Sequence, residues 1–310
     1  MDRTSHHPVV LHPDRLLTAV GVCGANQVGE VKKLQRMVVN AGYRLATGRQ
    51  LSVDGICGQQ TVEAIRWYQR LLNLSPSGLV TPLSVYFTGA LNAMSPANQP
   101  REAGGLLRVS AGQFTFDNEG RDYRTAAVPL RAGPRPWFSR VLHWPGGYSG
   151  VTLGRGFDMK LRSAGEIYSI LRQAGIEEHK ATICSRAAGL SGRAAAQFVT
   201  VFGPMVGEIT HQQQVRLFEL IYPRYVSLAR HYYLKHTKKL QMVQKAVSWE
   251  EMDKKIKDVY VDIVYQGVDD IKTLTRAAAK NNKDKMIALI EQSGLYMKYE
   301  KERKRICHLL

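Results

Sequence analysis

Two helical segments on either side of a glycine turn constrain the fold of this chain more than any other feature. The first begins at Val28, and its apolar residues recur at helical spacing at Val31, Leu34, Val38 and Val39. Gly42 is placed to end this helix. Asp54-Gly55 indicates a tight turn, because glycine adopts positive φ at little cost. A second amphipathic helix begins at about Thr61 and has one apolar face, at Val62, Ile65, Tyr68 and Leu72.

This pattern resembles the three-helix type of peptidoglycan-binding domain, which has an LQ helix, a DG-x-x-G turn, a Thr that opens the next helix and an aromatic-Gln pair. The matching positions are Leu34, Gln35, Asp54, Gly55, Gly58, Thr61, Ala64, Ile65, Tyr68 and Gln69. We expect these residues to form the scaffold, with the ligand at the turn and the exposed edges. The resemblance implies a peptidoglycan-binding domain over residues 26–91, preceded by an N-terminal tail, 1–25.

Charge and composition limit the partners. The 310-residue chain carries a formal charge of +17, which draws it to polyanions such as nucleic acid, an anionic cell wall or a membrane surface. No helix-turn-helix, zinc-finger or aromatic RNA-binding pattern supports nucleic acid. The four cysteines are scattered, so we expect free, mostly buried thiols and no metal or cofactor. No signal peptide or membrane span is predicted, so we expect synthesis in the cytoplasm and no membrane insertion. We also expect a monomer.

A linker rich in proline and glycine, 92–105, precedes a mostly helical domain over 106–310. Capping patterns predict helix starts at Ser163, Thr210 and Ser248, and Gly175 is placed to end the first of these helices. Further helices are predicted at about 211–232, 249–264, 270–280, 283–293 and 296–307. Residues 140–158 are rich in glycine and aromatics and predict a short β-hairpin.

Two segments of this domain carry candidate catalytic residues. In FTFDNEG, 114–120, Glu119 follows two aromatic residues, and a desolvated carboxyl group can keep the proton that a general acid needs. In SGVTLGRGFDM, 149–159, Thr152 and Asp158 are six positions apart, an even spacing that places both on one face of a strand. The spacing of its glycines does not fit a phosphate-binding loop.

Together the two segments resemble the phage-type lysozymes, and most closely their pesticin-like branch. Glu119-Gly120 match the helix end of that family, and Thr152, Gly154 and Gly156 match its Thr-x-Gly-x-Gly hairpin. In the pesticin-like branch an Asp follows within a GRGxDM run, here Asp158. The better-known phage lysozymes have their Asp nine residues after the Glu, where this chain has Val128, so only the pesticin-like arrangement applies.

The resemblance implies an overall fold that is mainly α, with a C-terminal α+β lysozyme-like domain. It implies a muramidase that cleaves the β-1,4 bond between N-acetylmuramic acid and N-acetylglucosamine. Glu119 would be the general acid, and Thr152 and Asp158 would hold the attacking water, which favours inversion. Candidate sugar contacts are His143, Trp144, Tyr148 and Arg155.

Three other activities stay open at this point: a lytic transglycosylase, a wall-binding protein without catalysis, and a basic nucleic-acid-binding protein. A muramidase with no signal peptide fits two biological roles. It could be an antibacterial toxin injected by a type VI-like secretion system, with an immunity protein as a partner, or a phage endolysin. In both roles the enzyme would act on the periplasmic cell wall of a target cell.

Overall fold

The chain is mainly helical, as its sequence predicts. The structure, a computed structural model, describes residues 15–99, 105–120, 139–238, 246–267 and 270–310. Within these ranges it contains fourteen helices and four short strands, which form two-stranded sheets. The predicted peptidoglycan-binding segment contains β1 Val20–Gly21, α1 Val28–Asn40, α2 Tyr43–Thr47, α3 Gln59–Leu71, β2 Leu79–Val80 and α4 Val85–Met94.

Helices α1 and α3 confirm the amphipathic pattern. Helix α1 begins at the predicted Val28, and α3 begins two residues before Thr61. Most of the apolar positions are buried, namely Val31, Leu34, Val38, Ile65, Tyr68 and Leu72. Val39 is 41% exposed, so its assignment to the buried face is wrong. Val38 already occupies the inward position of that turn, and the next residue along a helix points elsewhere.

Part of the predicted N-terminal tail is folded. Residues 15–25 contain β1, which pairs antiparallel with β2, Val20 opposite Val80. Leu16 and Val20 are almost fully buried. The tail prediction is therefore wrong for residues 15–25, because these apolar side chains enter the core; residues 1–14 lie outside the described ranges.

The remaining helices follow the predicted linker. They are α5 Gln113–Asn118, α6 Ala164–Gln173, α7 Glu178–Ser185, α8 Gly192–Val206, α9 His211–Thr237, α10 Lys254–Gln266, α11 Ile271–Ala278, α12 Lys283–Gln292, α13 Gly294–Arg303 and α14 Arg305–Leu309. Helix α4 extends to Met94, so the first residues of the predicted linker, 92–105, are helical, and residues 100–104 lie outside the described part.

Capping side chains decide where two of these helices begin. Thr210 and Gln213 form the predicted capping box of α9, and the Ser163 side chain accepts a hydrogen bond from the Glu166 N–H at the start of α6. Ser248 accepts from the Glu251 N–H, but α10 begins later, at Lys254, with Asp253 as its cap. The predicted helix start at Ser248 is therefore wrong, because Asp253 accepts from two N–H groups and sets the boundary.

The predicted hairpin within 140–158 is present. Strands β3, Thr152–Leu153, and β4, Phe157–Asp158, pair in a two-stranded sheet. His143 forms an antiparallel bridge with Thr152, in which each N–H donates to the other carbonyl, at 2.9 and 2.8 Å.

The chain divides into two compact units. The first contains Met1–Glu102, Val141–Thr152 and Asp158–Ile209, and the second contains Ala103–Arg140, Leu153–Phe157 and Thr210–Leu310. The first unit therefore contains more of the chain than the segment 26–91. The domain limits 26–91 and 106–310 remain predictions.

The cysteines and the helix lengths bear on two further expectations. Only Cys184 is buried; Cys57 is half-buried, and Cys23 and Cys307 are exposed, so the expectation of mostly buried thiols is wrong. No helix in the described ranges is long and apolar enough to cross a membrane.

Candidate functional site

Glu119 caps the C-terminus of α5 in the second unit. The last carbonyls of a helix lack partners within it, and here Arg155 supplies hydrogen bonds. Its Nη1 donates to the carbonyls of Phe116, at 2.6 Å, and Gly120, at 2.8 Å, and its guanidinium lies 4.4 Å from the centroid of the Phe116 ring. Arg155 thereby fixes the helix end that carries Glu119.

The Glu119 carboxylate is mostly buried and paired with an arginine. Its side chain is 13% exposed, and Oε1 lies 2.5 Å from Arg303 Nη1. The same Nη1 donates to Asp262 Oδ1 at 3.0 Å. Burial opposes the charge on Arg303, but Glu119 and Asp262 outweigh it and raise the pKa of Arg303.

Asp262 joins two arginines in the interior of the second unit. Its side chain is fully buried, and Oδ2 accepts from Arg305 Nε at 2.8 Å. Arg305 is also fully buried and donates to Gln266 Oε1 at 2.6 Å. Burial lowers the pKa of Arg305, and Asp262 opposes that shift. Since a buried charge needs a partner, Asp262 stabilises both Arg303 and Arg305.

Gly156 leaves space beside Glu119. Its φ is +86°, and a Cβ atom there would lie 2.7 Å from the Tyr265 ring and 3.3 Å from Glu119 Oε2. The Tyr265 hydroxyl donates to the Arg155 carbonyl at 2.7 Å. Both the backbone conformation and the close packing therefore favour glycine in the middle of the GRG run.

Asp158 lies in the first unit and is held by backbone groups. Its Oδ2 accepts from the Gly150 N–H at 3.0 Å, and Oδ1 accepts from the Lys160 N–H at 2.7 Å. A Cβ atom on Gly150 would lie 2.2 Å from Asp158 Oδ1. The carboxylate can occupy this position only because residue 150 has no side chain.

Thr152 and His143 lie beside Asp158. Thr152 is 4% exposed, and its hydroxyl is 3.4 Å from the Gly150 carbonyl, a long hydrogen bond. His143 is buried, with Nδ1 3.0 Å from the Val141 carbonyl. Burial lowers the pKa of His143 to about 4, against the opposing effects of the Val141 carbonyl and Asp158. The imidazole is therefore neutral at neutral pH.

The other candidate sugar contacts have different environments. Trp144 is half-buried and donates to the Ser149 carbonyl at 3.2 Å. Tyr148 is 87% exposed, and its carbonyl accepts from Lys160 Nζ. Arg155, by contrast, is 4% exposed and bonded to the end of α5, so it positions Glu119 and does not present its guanidinium to a ligand.

The structure thus groups the predicted catalytic residues in two sets. In the first unit Thr152 and Asp158 both bond to Gly150, and His143 forms a bridge with Thr152, whereas Glu119 belongs to the second. Sequence reasoning missed Arg303 and Asp262. A signal for Asp262 was present, since one acidic residue stands among apolar ones in VYVDIVY, and a buried acid needs a partner. Val128, which excluded the usual lysozyme spacing, lies outside the described residues.

A second candidate site is the glycine turn between α1 and α3. The buried Gln35 side chain accepts from the Gly55 N–H at 2.9 Å and donates to Asp54 Oδ1, the Ile56 carbonyl and Thr61 Oγ1. One amide therefore fixes the whole turn, in agreement with the scaffold role expected for the LQ position.

Within the described ranges, no cluster of His, Cys, Asp and Glu side chains could hold a metal ion.

Comparisons with known protein families cover most of the chain. Residues 27–84 match the family described as "Putative peptidoglycan binding domain", so the chain carries an N-terminal peptidoglycan-binding domain. No curated protein and no solved structure gave a significant match. Residues 112–306, more than half of the chain, match a family described as a domain of unknown function. This protein therefore belongs to the DUF8812 family.

Proposed function

We propose that this protein is a muramidase that binds peptidoglycan through its N-terminal domain. It hydrolyses the β-1,4 bond between N-acetylmuramic acid and N-acetylglucosamine. Glu119 protonates the leaving oxygen, and Asp158 and Thr152 hold the attacking water, a division of roles that suits an inverting glycosidase. The observation that carries the proposal is the setting of Glu119. Its carboxyl group is mostly buried, Arg155 fixes the helix end that carries it, and Gly156 leaves space beside it.

The setting of Asp158 supports its role as the group that holds the attacking water. Two backbone N–H groups donate to its carboxylate and fix its position. Thr152 lies on the strand that pairs with the strand of Asp158, and a threonine hydroxyl can position water but is a poor nucleophile. Water activation by a fixed carboxylate is therefore the chemistry that this pair suits.

One observation favours a second candidate, a wall-binding protein that does not cleave. Glu119 forms an ion pair with Arg303, which also pairs with Asp262, so its carboxyl group is already part of a structural charge network. In this reading Glu119 is a structural partner of Arg303. The peptidoglycan-binding domain would then account for the whole activity, and sacculi would be bound without release of products.

The test compares Glu119→Gln with the wild type on purified peptidoglycan. Loss of a general acid should lower the rate of clearing about 100-fold or more. Asp117→Asn is the matched control, because Asp117 lies on the same helix and is exposed. Equal clearing by wild type and Glu119→Gln would exclude the assignment, and no clearing by either would favour the wall-binding candidate.

Product analysis separates the muramidase from its nearest competitor. Reducing-end N-acetylmuramic acid in the mass spectrum identifies hydrolysis, whereas an anhydro-muramyl end identifies a lytic transglycosylase. The same proposal includes the two roles open from the sequence, a delivered antibacterial toxin with an immunity protein and a phage endolysin. An adjacent gene for a small periplasmic protein would favour the toxin, and a holin gene would favour the endolysin.

A further inference from the structure

The peptidoglycan-binding domain contains two turns of the same construction. Gln35 of α1 holds the first, and Gln69 of α3 holds the second. In each turn the glutamine Oε1 accepts from a glycine N–H at 2.9 Å, from Gly55 in the first and from Gly78 in the second.

The residues around these glycines correspond as well. The glutamine Nε2 donates to the carbonyl of the next residue, Ile56 at 3.2 Å and Leu79 at 3.0 Å. The N–H of that residue donates to the side chain two positions earlier, Asp54 at 2.9 Å and Ser77 at 3.2 Å. Ile56 and Leu79 are therefore equivalent positions in two copies of one motif.

The second turn is covered by the chain itself. Leu79 pairs with Gly21 in the sheet of β1 and β2, and Gly78 lies so close that a Cβ atom on Gly21 would be 2.0 Å from its carbonyl oxygen. Leu79 is accordingly half-buried. Among the residues that the structure describes, no strand covers the first turn, and Ile56 is 68% exposed.

Aliphatic and charged groups surround the open turn. A Cβ atom on Gly55 would meet Val28 Cγ1 at 2.7 Å and Lys32 Cε at 3.1 Å, so both side chains lie against the turn. Val28 is 60% exposed and Val53 is 37% exposed. We call the set Val28, Lys32, Val53 and Ile56 the Ile56 surface.

The charges at the Ile56 surface have opposite signs. Hydrogen bonds from the Ile56 N–H and Gln35 lower the pKa of Asp54, and Lys32 acts in the same direction. Asp54 is therefore an anion at neutral pH, close to the Lys32 ammonium group.

We propose that the Ile56 surface binds the peptide stem of peptidoglycan. The stem carries alanine methyl groups, which suit Val28 and Ile56, and free carboxylates, which suit Lys32. The described aromatic residues within 27–84 are Tyr43, Trp67 and Tyr68, which are buried or half-buried. The domain therefore contacts its ligand through aliphatic side chains and not through stacked aromatic rings. The inference rests on the peptidoglycan-binding part of the proposed function and is independent of cleavage.

The test measures binding of the full-length protein to purified sacculi by sedimentation at low temperature. The double variant Val28→Ser/Ile56→Ser and the single variant Lys32→Glu should each weaken binding about 10-fold. Leu83→Ser is the matched apolar control, because Leu83 is 82% exposed, and Arg44→Glu is the charge control, because Arg44 is exposed on a different helix, α2. Unchanged binding in both Ile56-surface variants would overturn the proposal.

Competition identifies the part of peptidoglycan that is bound. A stem peptide released enzymatically from sacculi should displace the protein, whereas a chitooligosaccharide should not. Displacement by the sugar alone would assign the surface to the glycan and overturn the proposal. Reducing ends released from sacculi report the proposed cleavage separately. If the proposed cleavage by Glu119 is wrong, Glu119→Gln will release reducing ends as fast as wild type. The order of the Ile56-surface variants and their controls in sacculus binding will then be unchanged.

Discussion

The two candidate carboxylates, Glu119 and Asp158, are held by different chemistry. Glu119 pairs with the Arg303 guanidinium, which Asp262 stabilises in turn. Asp158 accepts from the backbone N–H groups of Gly150 and Lys160. Side-chain charges therefore position the first carboxylate, whereas backbone shape and the absence of a Cβ atom position the second.

This difference determines which substitutions should matter at each carboxylate. We call Glu119, Arg303 and Asp262 the charge network. Removing one partner destabilises it, because a buried charge is left uncompensated. We call the backbone N–H groups of Gly150 and Lys160 around Asp158 the backbone cradle. It tolerates changes in side chains that point away from it, but it is disrupted when a side chain fills its space.

The largest effect should follow from Asp262→Asn. This change leaves the buried Arg303 and Arg305 without their shared carboxylate and should lower the free energy of unfolding by about 3 kcal/mol or more. Urea denaturation measures the loss. Asp284→Asn, at an exposed position, should be nearly neutral. Equal stability of the two variants would mean that Asp262 does not stabilise the network.

The Asp262 network also shows what the sequence could and could not predict. Helical periodicity predicted α1, α3 and α9 because each has a continuous apolar stripe. It missed α7, whose residues from His179 to Ser185 are all buried, since a helix buried on all sides has no polar face to set the period. Glu119 and Asp158 were found through motifs, but Arg303 is far from Glu119 in sequence and no local pattern links them.

A second prediction concerns how the buried His143, close to Asp158, makes stability depend on pH. The pKa of the buried His143 is lowered to about 4, against 6.5 in the unfolded chain, so between these values the unfolded state binds a proton that the folded state does not. The stability contributed by neutral His143 is therefore lost as pH falls from about 6.5 to about 4, by on the order of 2–3 kcal/mol.

Denaturation midpoints at pH 7 and pH 4 test this effect. His143→Gln should lose less stability than wild type over that interval, and His231→Gln, at an exposed position, should behave as wild type. Identical pH slopes for His143→Gln and wild type would contradict the prediction. The Arg303 guanidinium should add little to the change of unfolding free energy with pH, because a guanidinium stays charged throughout this range.

A third prediction addresses the space that Asp158 requires. Gly150→Ala places a methyl group 2.2 Å from Asp158 Oδ1 and 2.8 Å from the Lys160 backbone nitrogen, so the carboxylate must move. We expect a loss of about 1–3 kcal/mol in unfolding free energy, together with reduced clearing of peptidoglycan. Gly165→Ala is the matched control, because its Cβ atom would meet nothing within 4 Å. A stable, fully active Gly150→Ala protein would show that the cradle is not needed.

The smallest effect should come from Lys160→Ala. Arg303 and Lys160 are the basic residues that contact the two candidate carboxylates, and they do so in different ways. Arg303 pairs with Glu119 and Asp262 through its guanidinium, so Arg303→Met should remove the shared partner of both carboxylates. Lys160 donates through its backbone N–H, which alanine retains, and its Nζ makes only an exposed bond to the Tyr148 carbonyl. We therefore expect Lys160→Ala to change the unfolding free energy by less than about 0.5 kcal/mol and to leave clearing intact. Should Lys160→Ala inactivate the protein, the Lys160 charge itself would act on Asp158, and the distinction between a backbone cradle and a charge network would fail.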